Sequence, residues 1–467
     1  MKTSESEVSA KVNAHEARVK ADRPAEANDT RNLLVELFVE ELPPKALKKL
    51  GESFAGTLFE SLKAHGLAAA DAVVTPYASP RRLAVHVVGV LTQAPDKPMS
   101  TKLMPVSVGL DASGRPTAAL QKRLGAFGFS MEMEILPEAV VRRSDGKVEV
   151  LFYESIAPGT TLAEGLQKAV EAALAALPIP KAMSYQLTDG WSTVNFVRPA
   201  HGLVALHGAD IVPISVLGLQ TGRDTHGHRF EASADPIVLK DADSYARQLE
   251  AEGAVIPCFA ARRAEIVRQL AAAAAQAGGR PIEDEDLLDE VTALVERPNV
   301  LIGRFEEAFL EVPQECLILT MKANQKYFPL LDASGRLTNK FLIVSNIRPA
   351  DASAVIGGNE RVVRPRLADA KFFFDQDRKK PLGDRVPGLA KVVYHNKLGT
   401  QLDRMVRVAS SASAIALKLS PDDDELVGSV AEAARLSKAD LLTDMVGEFP
   451  ELQGNMGRYY ALHDGLH

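Results

Sequence analysis

Positive charge and planar side chains gather in one part of this chain, and together they are the chemistry of a polyanion contact. From Thr320 to Arg407 there are 17 Lys and Arg against 8 Asp and Glu, although the whole chain has a formal net charge of −7. Within that stretch Thr320-Met321-Lys322-Ala323-Asn324-Gln325-Lys326-Tyr327-Phe328-Pro329 interleaves amines, amides and aromatic rings. Ammonium and guanidinium groups neutralise phosphates, and exposed rings stack on unpaired bases. Lys322, Lys326, Arg364 and Arg366 are therefore candidate phosphate contacts, and so is the run Arg378-Lys379-Lys380. The later cations have two possible uses, contact with an external anion or ion pairing with Asp369, Asp375 and Asp377.

Catalytic machinery is not evident. The sequence has no G-x-x-x-x-G-K-[ST] phosphate loop, no G-x-G-x-x-G turn and no G-x-S-x-G nucleophile elbow. Gly357-Gly358 lacks the Lys-Ser/Thr that would follow in a phosphate loop. His226 and His228 would share a face on a strand, with His201 and His207 shortly before them. A metal needs three or four converging ligands, so these read as polar or phosphate-contacting histidines and no metal site is expected. His463-Asp464 is a literal His-Asp pair, and His395 and Asp440 are the other candidates in its region. A hydrolytic metal needs its complete ligand set. A metal-dependent phosphohydrolase of the HD type is thus an alternative, and no catalytic residue is assigned.

The elements that would position these groups follow from periodicity. Leu33–Val39 reads as a strand buried on both faces. Pro44 suits the first turn of a helix whose stripe is Leu47, Leu50, Phe54, Leu58 and Leu62. Arg82–Leu91 is a second strand, and Asp145-Gly146 joins strands Glu134–Arg142 and Lys147–Ile156. Thr160–Leu177 is a helix with Thr161 at its N-cap. Short strands are expected around 193–197, 202–206 and 211–217, and helices over 242–252, 260–277 and 285–296. Strands Tyr327–Leu331 and Phe341–Ile347 follow. Pro365 suits the start of a helix whose Phe372-Phe373-Phe374 sweep roughly 200°, so that helix should be wedged into the core. From Arg385 onward the pattern is helical. The fold class is α+β multidomain, a mixed α/β N-terminal part followed by an all-α part.

Composition fits this division. The chain has 467 residues, 46% hydrophobic and 25% charged, and two cysteines, Cys258 and Cys316. Two cysteines exclude a disulfide framework and fit a reducing compartment. No apolar run approaches a membrane span. Residues 1–31 have no aromatic residue, no Leu and no Ile, and are expected to be a disordered extension. That segment lacks the apolar stretch of a secretory signal, so cytoplasmic residence is the expectation.

In order, Val39-Glu40-Glu41-Leu42-Pro43-Pro44, Ser79-Pro80-Arg81-Arg82-Leu83, Leu177-Pro178-Ile179-Pro180-Lys181, Phe196-Val197-Arg198-Pro199 and Gly227-His228-Arg229-Phe230 lead into the basic stretch. Lys397-Leu398-Gly399-Thr400 and Glu448-Phe449-Pro450-Glu451-Leu452-Gln453-Gly454-Asn455-Met456-Gly457 come after it. This series resembles the β subunit of the bacterial two-subunit glycine–tRNA ligase. The resemblance implies a complex of two α and two β chains that charges tRNA(Gly) with glycine. ATP and Mg2+ would be used at a class II site in the α subunit, with no cofactor bound to this chain. It also implies an HD-like helical domain and a C-terminal anticodon-binding domain, and it adds Arg81 and Arg82 to the candidate tRNA contacts. The expected domains are the 1–31 extension, α/β subdomains over 32–180 and 181–330, a basic linker region over 331–384, and an incomplete HD-like domain over 385–467.

The sequence departs from the family pattern in three places. The 1–31 extension is not part of the usual pattern, Met183-Ser184-Tyr185 replaces the usual Met-Arg-Trp run, and the family pattern continues well beyond His467. The chain therefore reads as C-terminally truncated. On that expectation Leu436, Leu441, Leu442, Met445, Val446, Phe449, Leu452 and Met456 include residues left without neighbours. An autonomous RNA-binding protein remains a further alternative.

Overall fold

The computed structural model describes residues 29–130, 133–146 and 148–466. The extension expected over 1–31 lies outside the described residues as far as residue 28, and Thr30 and Arg31 already belong to the first strand. The described chain forms mixed α/β structure in two compact units. One comprises the residues up to Gly227 together with Ser233–Gly253, and the other His228–Ala232 and the residues from Ala254 onward.

In the first unit β1 (Thr30–Val39) lies between β9 and β3, and is buried from Leu33 to Val39. Helix α1 (Pro44–Ala64) turns the expected leucine stripe onto this core, with Leu47, Leu50, Phe54, Leu58 and Leu62 all fully buried. Strands β2 (Val74–Ser79) and β3 (Arg82–Leu91) extend the sheet on one side, antiparallel. Strand β4 (Lys97–Pro105) leaves it to pair with β6. Helix α2 (Ala118–Gly125) and strands β5 (Val140–Asp145) and β6 (Val148–Ala157) complete that small sheet and its own core of Leu110, Leu120, Leu124, Val140 and Leu151. Helix α3 (Leu162–Ala176) opens with a capping box. Thr161 accepts from the Glu164 amide, and the Glu164 carboxylate reaches back to the cap.

Next come β7 (Met183–Gln186), β8 (Thr193–Phe196) and β9 (Ala200–His207), which pairs with β1. Short strands β10 (Asp210–Ile211), β11 (Ser215–Val216), β12 (Leu219–Gln220), β13 (Asp224–Thr225) and β14 (Ile237–Val238) precede helix α4 (Tyr245–Ala251). The boundary between the two units falls at 227–254, and β9 belongs to the first unit because it pairs with β1.

This unit buries an acid on its central strand. Glu36 and Arg82 are both inaccessible to solvent and 3.5 Å apart. The Tyr245 and Thr225 hydroxyls donate to the same carboxylate. Burial first, and then Glu36 beside it, drives the Tyr245 hydroxyl well above its ordinary pKa.

The second unit begins with α5 (Phe259–Ala277), β15 (Arg280–Pro281), α6 (Glu285–Thr292) and β16 (Asn299–Arg304). Then come α7 (Gln314–Gln325), β17 (Phe328–Leu331) and β18 (Leu337–Ser345). The sheet order is β15-β17-β18-β16, antiparallel throughout. Residues of β18 alternate between two cores. Leu342 and Val344 pack with Ile266, Leu270, Leu288 and Val291, while Phe341 and Ile343 pack with Leu317, Met321, Val363 and Leu367.

The segment expected to be a basic linker is largely structured. Helix α8 runs from Ser353 to Asp377. Pro365 does not begin it but lies inside it. Proline removes one backbone donor, yet Val363, Leu367, Ala370 and Phe374 on either side share one buried face that holds the helix together. Its three phenylalanines are not all core. Phe374 is buried against Tyr460, whereas Phe372 is 57% exposed.

A 3-10 segment (Leu382–Lys391) leads to a small hairpin, β19 (Val393–His395) and β20 (Gly399–Thr400), inside the stretch expected to be wholly helical. Helices α9 (Gln401–Leu419), α10 (Asp424–Leu436), α11 (Asp444–Glu448) and α12 (Asn455–His463) follow. The apolar residues expected to lack neighbours are largely covered. Leu436, Met445, Val446, Leu452 and Met456 are buried, and Leu441 and Phe449 pack beside them. The exposed apolar side chains of this part include instead Val406, Val408, Ile415, Leu417 and Leu419 of α9, with Val393 and Leu398 of the hairpin, Leu426 of α10 and Leu462 of α12.

Asp377, at the end of α8, organises this helical part. Its carboxylate accepts from the Asp444 amide (2.9 Å), the Met445 amide (3.0 Å), the Tyr460 hydroxyl (2.9 Å) and Arg385 (3.3 Å). Asp377→Ala would leave those donors buried and unmet. The expected loss is about 3–5 kcal/mol, read as faster amide exchange in α11 and α12 with α1 unchanged.

Candidate nucleic-acid interface

Few of the candidate cations face solvent unpaired. Arg81 is buried, donates to the Gly227 carbonyl at 2.6 Å and lies over the Phe38 ring. Arg82 pairs with Glu36 and donates to the His226 carbonyl at 2.8 Å. Both side chains are held inside the first unit rather than on its surface. Adjacent arginines in a sequence look the same whether buried or exposed. The acid that claims Arg82 stands on a different strand.

Lys322 and Lys326 are also committed. Lys322 pairs with Asp284, whose carboxylate caps α6 by accepting from the Leu287 amide at 2.8 Å. Burial raises the Asp284 pKa, but the Lys322 and amide hydrogen bonds outweigh it and hold the carboxyl below its ordinary value. Lys326 closes α7 in the left-handed conformation (φ 60°), with its ammonium 3.1 Å from Glu290. Tyr327 beside it is buried, stacks on Phe341 and donates to the Asn359 side chain at 2.6 Å. Burial pushes its hydroxyl up to about 12. The 320–329 run is therefore mainly framework.

Helix α8 differs. Arg364 is 57% exposed and its Nε lies 2.5 Å from Glu306. Arg366 is exposed and enters no ion pair among the described residues. Arg361, which the sequence reading passed over, is exposed too and likewise enters no ion pair among them. Exposed Phe372 lies eleven residues beyond Arg361, three helical turns on and within about 20° of the same direction. That spacing was the available signal, hidden by the expectation of a helix starting at Pro365. At the end of α8, Arg378 covers the Phe374 ring and sits 3.8 Å from Asp375. Lys379 is exposed and donates to Gln376 at 2.9 Å, and Lys380 is exposed. Asp377 is not the partner of these cations, because its carboxylate is turned inward. The exposed side of α8 thus offers Arg361 and Phe372 in one direction, with Arg364 and Arg366 on its two flanks, a combination suited to phosphates and an unpaired base.

The histidines are dispersed. Among the described residues no group of three or more His, Cys, Asp or Glu side chains is placed to hold a metal ion. His226 lies 2.6 Å from Asp235, His207 2.8 Å from the Val90 carbonyl and His201 3.1 Å from Glu40. In the His-Asp pair, Asp464 accepts from the Leu382 amide at 2.6 Å and His463 is exposed. Asp440 accepts from the Gly454 and Gly457 amides at 2.5 and 3.0 Å, and His395 accepts from the Lys397 amide at 3.1 Å. A cavity of about 650 Å³ lies between α10 and α12, lined by Glu425, Ser429, Glu432, Leu436, Arg458 and Leu466 but by none of those four residues. No helix among the described residues is long and apolar enough to cross a membrane.

The comparisons place this structure in the class of aminoacyl-tRNA synthetase subunits. Residues 33–467 match the family described as glycyl-tRNA synthetase beta subunit, and the chain belongs to that family. It is 70% identical over 444 residues to the glycine–tRNA ligase beta subunit of Dechloromonas aromatica, covering 94% of this chain and 62% of that protein. It is 72% identical over 438 residues to that of Thiobacillus denitrificans, with the same two coverages. The chain thus spans 62% of the length of these relatives.

The Asp284–Lys322 pair gives a pH signature. Because the folded carboxyl sits below its unfolded value of about 3.9, its contribution is complete above that pH. It is lost as pH falls through the folded value. Asp284→Asn should therefore flatten the acid limb of stability below about pH 4 and leave the slope at pH 6–8 unchanged, as measured by urea titration across pH.

Proposed function

We propose that this chain acts as the β subunit of glycine–tRNA ligase and contributes tRNA binding. A separate α subunit forms glycyl-adenylate from ATP with Mg2+ and transfers glycine to tRNA(Gly). The working complex contains two chains of each kind and resides in the cytoplasm. What carries this reading is the family match across residues 33–467. The exposed face of α8 supplies a site of fitting chemistry for the RNA. The HD-like domain expected over 385–467 is proposed to be one in which Asp440 and Asp464 have become helix-organising acceptors, on the ground of their amide partners. No specific observation favours the phosphohydrolase alternative.

Two measurements test this reading. The purified chain alone should show no glycine-dependent ATP–pyrophosphate exchange, and exchange by it would contradict the division of labour. For tRNA(Gly), replacing Arg361, Arg364 and Arg366 by Ala should weaken binding and make its salt dependence shallower by about one phosphate per residue. Lys322→Ala should leave that salt slope unchanged. A folded triple variant with the parental slope would remove α8 from the interface.

A further inference from the structure

The β7–β8 hairpin carries the chain's only tryptophan out into solvent. Trp191 is 91% exposed, more than any other large apolar side chain among the described residues. The loop beneath it is well braced. Asp189 accepts from the amides of Trp191 and Ser192, both at 2.9 Å, and from the Ser192 hydroxyl at 2.6 Å. The Leu187 amide donates to the Ser192 carbonyl at 2.9 Å, and Gly190 provides the positive φ (74°) that the turn requires. Leu187 lies on Gly218 in the β11–β12 turn, where a Cβ would come within 2.2 Å of its Cδ1. That second hairpin is tied to α3 by reciprocal bonds between Ser215 and Gln167, at 2.8 and 2.9 Å. A large indole is thus held away from the core on a turn that is already ordered, so seating it in a partner costs little further ordering.

Charge indicates the kind of partner. Residues 183–196 contain a single charged side chain, Asp189, and neither Lys nor Arg. The turn of α3 that Ser215 contacts carries one charge of each sign, exposed Lys168 and Glu171, which accepts from Gln167 at 2.7 Å. Rings that stack on nucleic-acid bases sit in positively charged grooves, and this hairpin carries no cation. Tryptophan anchors at protein interfaces instead fill desolvated pockets ringed by weaker contacts. We propose that Trp191 is a docking anchor for a protein partner that presents an apolar pocket with a cationic rim, and that this partner is the α subunit. The inference rests on the proposed function for the identity of that partner.

Because Trp191 is the only tryptophan, labelling this chain with 5-fluorotryptophan gives one fluorine resonance that belongs to the anchor. The labelled chain is mixed with unlabelled glycine–tRNA ligase α subunit, and association is followed by sedimentation. The expected result is a complex in which the resonance shifts and is shielded from a soluble paramagnetic reagent. Trp191→Ala should weaken association about 30-fold or more, Trp191→Phe less, and both should melt as the parent does because the side chain supports no core. A complex with the resonance still accessible, or a Trp191→Ala loss below twofold, overturns the anchor and leaves the proposed function standing. A shift produced by tRNA without the α subunit overturns it in favour of base stacking. Failure to associate at all overturns the proposed function and the anchor with it.

Discussion

A carboxylate taken out of water has to find several donors at once, and in the second unit Asp377 finds them on three separate segments. Its carboxylate accepts from the first amides of α11, the Tyr460 hydroxyl of α12 and Arg385 of the 3-10 segment, while its own backbone ends α8. The direction of α8 and the packing of the last helices are therefore one problem with one solution. The exposed guanidinium face exists because the opposite face of the same helix is fixed in this way. Glu36 has the corresponding task in the first unit, where it joins the central strand to Arg82, Thr225 and Tyr245. Neither network is primarily a source of stability, since buried charges cost nearly what they return. Their effect is to leave each set of elements a single arrangement in which every donor is met.

What could be read from the sequence depended on how local the cause was. The α1 stripe, the Thr161 cap and strand Arg82–Leu91 are set by neighbours a few residues away, and all three are where periodicity places them. The fate of the cations was set at a distance. Lys322 is claimed by Asp284 and Lys326 by Glu290, acids on a helix that precedes theirs by some thirty residues. Arg82 is claimed across the sheet by Glu36. A cluster of positive charge in a sequence says nothing about such claims, so the lysines of the richest-looking stretch are tied into ion pairs while α8 keeps its arginines outside.

Pro365 misled for a related reason. Its local preference for a first turn is real, but the buried face running from Val363 to Phe374 outweighs a missing donor. The same mechanism covers the apolar residues near the end of the described chain. Leu436, Met445 and Met456 find neighbours within the second unit, and the thiol of Cys316 lies 3.3 Å from the Met456 sulfur, in a setting where burial pushes the thiol up to about 12.

The alternation along β18 has a consequence for how this part of the chain can vary. Leu342 and Val344 serve one core and Phe341 and Ile343 the other. Side chains on a strand repeat every two residues, so inserting or deleting a single residue there would exchange the two sets at once. Each core would receive groups shaped for the opposite layer. Substitution by similar apolar residues is open to this strand, but a change of length is not. The turn at Asp332–Gly335, where Asp332 caps its own loop through Ser334 and Arg336, is where length can change without crossing the sheet.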